Sequence, residues 1–205
     1  MTDYDRVNLL LDRYGETYAH QAGIRLADKP QPLYQLLVLT KLLSTRISAD
    51  VAVAAARELF QAGLTSPKAM AETDEHTLWH ALAAGHYVRY GGPASKQLVE
   101  GAQLLIDRWG GDLRRMHGAT YGDLPALRAA LTEFPGIGPT GADIFLREVQ
   151  SVWPDISPYL DERVTEAAKA VHLPSSPARL ANLVPAERLP ALAAAVLRGS
   201  HDKSR

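Results

Sequence analysis

Cysteine is absent from the 205 residues, so the fold holds no disulfide and no metal through thiolate ligands. Long apolar runs are missing too: none approaches the roughly 20 residues that cross a bilayer. The opening Met1-Thr2-Asp3-Tyr4-Asp5-Arg6 lacks the basic-then-apolar order of an export signal. A soluble intracellular protein is therefore expected. Nor is there an excess of positive charge, because the formal net charge is −1. That excludes a grip on nucleic acid by bulk charge. Such a partner would have to be held by local clusters such as Arg89, Lys96, Arg108, Arg114 and Arg115, or by backbone N–H groups that no charge count registers.

What is present is helical. With 46% hydrophobic and 22% charged residues the chain can bury a sizeable core in one or two lobes. Alanine and leucine abound while Val-Ile alternation is scarce, so the expected fold class is all-α. The pattern predicts helices over 5–18, 32–43, 49–62, 66–71, 75–83, 93–109, 124–132, 139–152, 160–171, 177–183 and 186–198. Ser48, Thr73 and Asp74 stand where N-caps belong, and proline opens several of the segments. The acidic stretch at 72–75 reads as a solvated helix start that complements the helix dipole. Residues 27–32 read as a linker, and 174–177 break the C-terminal part.

The most informative stretch is Phe134-Pro135-Gly136-Ile137-Gly138-Pro139-Thr140-Gly141-Ala142-Asp143. Glycines one residue apart can take positive φ and let a partner approach the backbone, and the helix that follows offers unpaired N–H groups in its first turn. A helical segment precedes it, another follows, and a proline-rich loop, Trp153-Pro154-Asp155-Ile156-Ser157-Pro158, then leads to Asp161 at the start of a further helix. This order resembles the helix-hairpin-helix DNA glycosylases related to endonuclease III, over roughly 32–171.

The resemblance implies a two-lobed helix-hairpin-helix glycosylase fold. A helical barrel lobe would span 30–132, and a second lobe would combine 1–29 with 133–205, with a DNA cleft and Asp161 between them. Gly136, Ile137, Gly138, Thr140 and Gly141 would hold a DNA phosphate. Arg46, in Leu42-Leu43-Ser44-Thr45-Arg46-Ile47, falls where the family probes the gap left by an extruded base; His86 and Tyr87, with Lys96 beyond, look like the second DNA-facing loop. Backbone carbonyls of Thr132, Phe134 and Ile137 would take a monovalent cation, hard cations accepting oxygen ligands of this kind. Many relatives also carry an iron–sulfur cluster on four cysteines, which this chain cannot hold.

A base inside a duplex must leave the stack before its glycosidic bond can be reached. Breaking that bond builds positive charge on the sugar, which a carboxylate stabilises while orienting or deprotonating water. Asp161 would take that role, beside an ordinary one as helix N-cap. Bifunctional relatives place a Schiff-base lysine where this chain has Thr140, so the resemblance implies a monofunctional enzyme without strand cleavage. Lys41, Lys96 and Lys169 lie elsewhere and read as surface or phosphate-contacting residues; Glu133 and Asp143 are expected to turn outward or cap. His76 and His80 have helical i, i+4 spacing but no third ligand nearby, which reads as a surface pair. The expected partner is duplex DNA with a damaged or mismatched base, and the expected protein is a cytoplasmic monomer, nucleoid-associated if prokaryotic. A non-catalytic hairpin-bearing DNA binder and a helical interaction protein with an incidental Gly-Ile-Gly turn stay open.

Overall fold

The computed structural model describes residues 1–202, and every regular element among them is helical. In chain order these are α1 (Asp3–Tyr14), α2 (Tyr18–Gln21), α3 (Pro30–Leu43), α4 (Ala49–Gln61), α5 (Pro67–Ala71), α6 (Glu75–Ala84), α7 (Gly91–Trp109), α8 (Leu113–Ala119), α9 (Leu124–Thr132), α10 (Pro139–Val149), α11 (Glu162–Ala170), α12 (Pro177–Ala181) and α13 (Leu189–His201). Short 3-10 turns occupy Pro154–Ile156 and Ala186–Arg188. None of these helices is long and apolar enough to cross a membrane.

Local chemistry sets most of the starts. Thr2 and Asp5 form a reciprocal capping box at α1. Ser48, Ser66, Asp74, Asp112, Asp123 and Asp161 each accept a first-turn N–H of the helix they precede, a contact that contributes about 1 kcal/mol per cap. The segment predicted over 5–18 ends earlier, at Tyr14, where the Gly15 N–H closes the helix on Leu11. Helix α8 had no counterpart in the sequence pattern. Its short apolar signal, Leu113 and Met116, is buried but is diluted by arginine, histidine and glycine.

The chain packs as two compact units, Ala19–Phe145 and Met1–Tyr18 with the described residues from Leu146 onward. One boundary therefore falls inside α10, whereas the sequence reading drew it at 132/133. In the larger unit α3 is central: Leu33, Leu36, Leu39 and Leu42 are fully buried, α4 packs on α3 and α6, and α5 and α6 pack on α7. In the smaller unit α1 and α11 pack on α13 around Val7, Leu10, Val164, Ala168, Leu192 and Val196. Arg198 fixes the start of the chain there, donating to the carbonyls of Tyr14 and Glu16 while its guanidinium lies 4.5 Å from the Tyr18 ring centroid.

Candidate functional site

Between α9 and α10 the chain makes a four-residue turn. The Ile137 N–H donates to the Phe134 carbonyl at 3.0 Å, and Gly136, third in the turn, has φ +78°. Proline second and a left-handed glycine third are the residues a type II turn demands. Gly138 then accepts the Ala142 N–H at 3.0 Å, which places it before the first turn of α10, with Pro139 at the first helical position. The first-turn N–H groups of Thr140 and Gly141 have no acceptor within the helix, and both Gly138 and Thr140 are exposed. Positive dipole and free donors together suit an anion. Neither flanking carboxylate opposes it as a free charge, because Asp143 accepts from Arg128 at 2.6 and 2.9 Å and Glu133 pairs with Arg108.

The last turn of α3 supports this hairpin from below. A Cβ on Gly136 would lie 2.5 Å from Lys41 Cε and 2.6 Å from Gln97 Oε1; one on Gly141 would lie 2.3 Å from Ser44 Oγ. Both glycines are thus required for contact with α3. A Cβ on Gly138 would meet nothing within 4 Å, so that glycine leaves space on the outer side. Lys41 is only 4% exposed and makes no side-chain hydrogen bond or ion pair among the described residues. It lines a cavity of about 20 Å³ together with Tyr34, Gln97, Phe134, Pro135 and Ile137. Lys41, expected to be a surface or phosphate-contacting residue, is not at the surface: its neighbours along α3 are buried on every side and draw it inward.

Burial lowers the Lys41 ammonium from 10.5 to about 8. The unfolded chain keeps the ordinary value, so between about 8 and 10.5 it binds more protons than the folded chain, and stability rises with pH across that window. Below it the buried charge costs up to about 3 kcal/mol, at about 1.4 kcal/mol per unit. Lys41→Met keeps the stem and removes the charge. It is expected to exceed the wild type in stability at pH 7 and to lose the rise towards pH 10. Urea unfolding at both pH values checks this, and equal pH slopes in the two proteins would mean that the amine is solvated.

The other residues expected at DNA divide. Arg46, His86 and Lys96 are exposed, and His86 holds a left-handed φ of 64°. Lys96 lies 3.8 Å from Glu100. Tyr87 requires a correction: it is fully buried, its hydroxyl lying 2.6 Å from Thr45 Oγ1 and donating to the Leu42 carbonyl at 3.3 Å. It braces the Arg46 segment from inside and has no surface to present. The supposed basic cluster is largely neutralised, with Arg108 on Glu133 and Arg114 on Asp112.

Asp161 caps α11. One carboxylate oxygen accepts the Val164 N–H at 3.1 Å, and the other pairs with the Arg147 guanidinium. Their side chains are 10% and 9% exposed respectively. The approach to Asp161 is set by Gln150, fully enclosed, whose amide donates to the carbonyls of Arg147 and Tyr159 and whose oxygen accepts the Tyr159 N–H at 2.8 Å. The proline-rich loop is thereby tied back to α10. Arg147 and Gln150 were not among the expected site residues; the available signal was a polar side chain inside an otherwise apolar stretch of helix, Ile144-Phe145-Leu146-Arg147.

The remaining candidates are peripheral. Lys169 pairs with Glu166 at 2.5 Å on the surface. His76 and His80 touch through Nε2 atoms 3.1 Å apart, and no group of three or more metal-ligating side chains exists among the described residues. Of the carbonyls proposed for a cation, that of Phe134 already accepts the Ile137 N–H, which leaves it one lone pair.

No protein-family model and no curated protein sequence matches the chain. Solved structures do. A non-covalent endonuclease III–DNA complex superimposes with a TM-score of 0.52 at 15% identity, covering 96% of this chain and 85% of that one. A trapped endonuclease III–DNA covalent intermediate, an estranged-adenine complex, gives a TM-score of 0.50 with the same identity and coverage. The chain has the all-α endonuclease III fold.

Proposed function

We propose that this chain, built on the endonuclease III fold, binds duplex DNA through its hairpin and removes a damaged or mismatched base by hydrolysing the N-glycosidic bond. The observation that carries the reading is the hairpin itself: a type II turn feeding an exposed helix N-terminus, with both glycine shoulders seated on α3. Solved relatives in fold bound to DNA support it. In the reaction the bond from the sugar carbon to the base nitrogen breaks and a water oxygen bonds to that carbon. Asp161 faces the positive charge that develops on the sugar and accepts the water's proton. A carboxylate offers about four acceptor positions, and the cap and the ion pair occupy one on each oxygen.

Thr140 carries no amine, so no Schiff base forms there. Lys41 does not replace it, because a cavity of about 20 Å³ admits one water, which needs about 10–15 Å³, and not a sugar. DNA would therefore be left with an intact strand and an abasic site. The protein would act as a monomer in the cytoplasm, or on the nucleoid in a prokaryote, and a monovalent cation on the carbonyls of Thr132, Phe134 and Ile137 would add to the phosphate contact without taking part in bond breaking.

A second reading is favoured by one specific observation. Asp161 is mostly buried and engaged on both oxygens, as a purely structural cap would be, and the protein would then bind DNA without reacting. Duplexes carrying uracil, oxidised pyrimidines, alkylated purines or mismatches, incubated with wild type and Asp161→Asn and then treated with hot alkali, separate the two. Excision predicts scission on at least one lesion, reduced at least about 100-fold in the variant. Binding without scission on any lesion establishes the second reading, and scission without alkali refutes the role given to Thr140.

A further inference from the structure

The hairpin has donors on its outer side and, unexpectedly, a lysine behind it. Lys41 is 96% buried by its 4% exposure, and its Cδ and Cε lie against Gly136, where only the missing Cβ gives them room. The groups facing the stem and amine are Tyr34 from its own helix, Gln97 and Leu98 from α7, and Phe134, Pro135 and Ile137 from the hairpin. None of them is a carboxylate. Only Tyr34 among them titrates, and burial pushes its phenol far up. An ammonium with no counter-ion in an apolar cavity is unfavourable by itself. A bound anion on the other side of the same turn would relieve it.

We infer that Lys41 is part of the phosphate-binding site: its ammonium, at the end of a stem packed behind the turn at 134–137, adds a positive charge to the backbone donors at the start of α10. The inference rests on the DNA-binding reading above and gives that reading a second, independent component. Lys41, in the last turn of α3, and Ser44, its C-cap, lie against the two ends of the hairpin, at Gly136 and Gly141. Most of the Lys41 side chain lies behind the turn, so its charge is weakened less by salt than that of Arg46 or Lys96 at the surface.

The consequence is a pH-dependent grip. The amine loses its proton near pH 8 in the free protein; an adjacent phosphate favours the protonated form, so binding draws in a proton where the amine is otherwise neutral. An upward displacement of about one unit corresponds to a tenfold change in affinity. We expect wild type to bind a short undamaged duplex about fivefold more weakly at pH 9 than at pH 7, measured by fluorescence anisotropy at fixed salt. Lys41→Met should hold the weaker affinity at both pH values, and titration calorimetry at pH 8 in buffers of different ionisation enthalpy should show proton uptake in the wild type alone. Lys41→Gln, checked for helicity, serves if the Met variant misfolds. A wild-type affinity that does not change with pH, or a variant with the same pH slope and proton uptake as wild type, overturns the inference while leaving DNA binding intact. Failure of every form to bind duplex even at low salt removes the DNA-binding reading as well.

Discussion

Arg147→Ala is expected to destabilise the protein by about 3–5 kcal/mol, the range seen when one partner of a buried ion pair is removed. Both side chains are about nine-tenths buried, and the substitution strands the Asp161 carboxylate with the single Val164 N–H as donor. For a chain of this size the loss corresponds to roughly 10 °C in melting temperature. Asp161→Asn keeps a good cap and is expected to be milder at α11, but it leaves the guanidinium without its charge partner. In the double variant Arg147→Met with Asp161→Asn both charges disappear together, so the loss should be well below the sum of the single losses. Chemical denaturation of wild type, Arg147→Met, Asp161→Asn and the double variant gives the coupling energy. A value near zero would mean that the pair does not form in solution, and Asp161 would then be free for chemistry without Arg147 as its anchor. A large coupling energy combined with retained excision in Arg147→Met would show the reverse: that the pair stabilises the fold and is dispensable to the reaction.

The parts of this architecture that could be read from the sequence are those set by local rules. Pro135 and Gly136 specify a turn type, Pro139 a first helical position and Asp161 a cap, and each is found in that role. Helix α9 also falls where the pattern puts it, because Asp123 caps it and the hairpin ends it. What escaped were residues whose role depends on what surrounds them. Lysine and arginine ordinarily lie at the surface, and a lone cation in an apolar stretch, as at Lys41 and Arg147, is a weak sign of enclosure. Tyr87 failed in the opposite direction: placed by likeness in a DNA-facing loop, it turns inward because Thr45 and the Leu42 carbonyl offer its hydroxyl partners. The Asp161–Arg147 pair joins residues 14 positions apart across a loop held by Gln150, a long-range arrangement without periodicity.

Gly85→Ala is expected to cost more than about 3 kcal/mol, above the usual overpacking range, and to disturb the candidate interface from a distance. Gly85 ends α6 with an ordinary φ of −83°, so the penalty is not one of backbone strain. Space is the reason. An added Cβ would stand 2.4 Å from both the Cα and the N of Ala55 and 2.8 Å from the Ala54 carbonyl carbon. These are backbone atoms of α4, which cannot rotate away as a side chain can, so α4 and α6 must separate. Two residues on, Tyr87 carries the hydroxyl contact to Thr45 at 2.6 Å, and separation of the helices pulls on it directly. Arg46 follows Thr45 and loses its internal brace. Gly138→Ala is the control, since its Cβ would meet nothing within 4 Å and φ there is not left-handed. That variant should lose no more than the roughly 1 kcal/mol that separates glycine from alanine at an N-cap, while weakening DNA binding if the outer face of the hairpin receives a phosphate. Thermal unfolding of the pair, with limited proteolysis across 44–48 and 84–90, reads both effects. A Gly85→Ala protein that melts with the wild type would show that α4 and α6 are not in backbone contact, and the brace assigned to Tyr87 would fall with it.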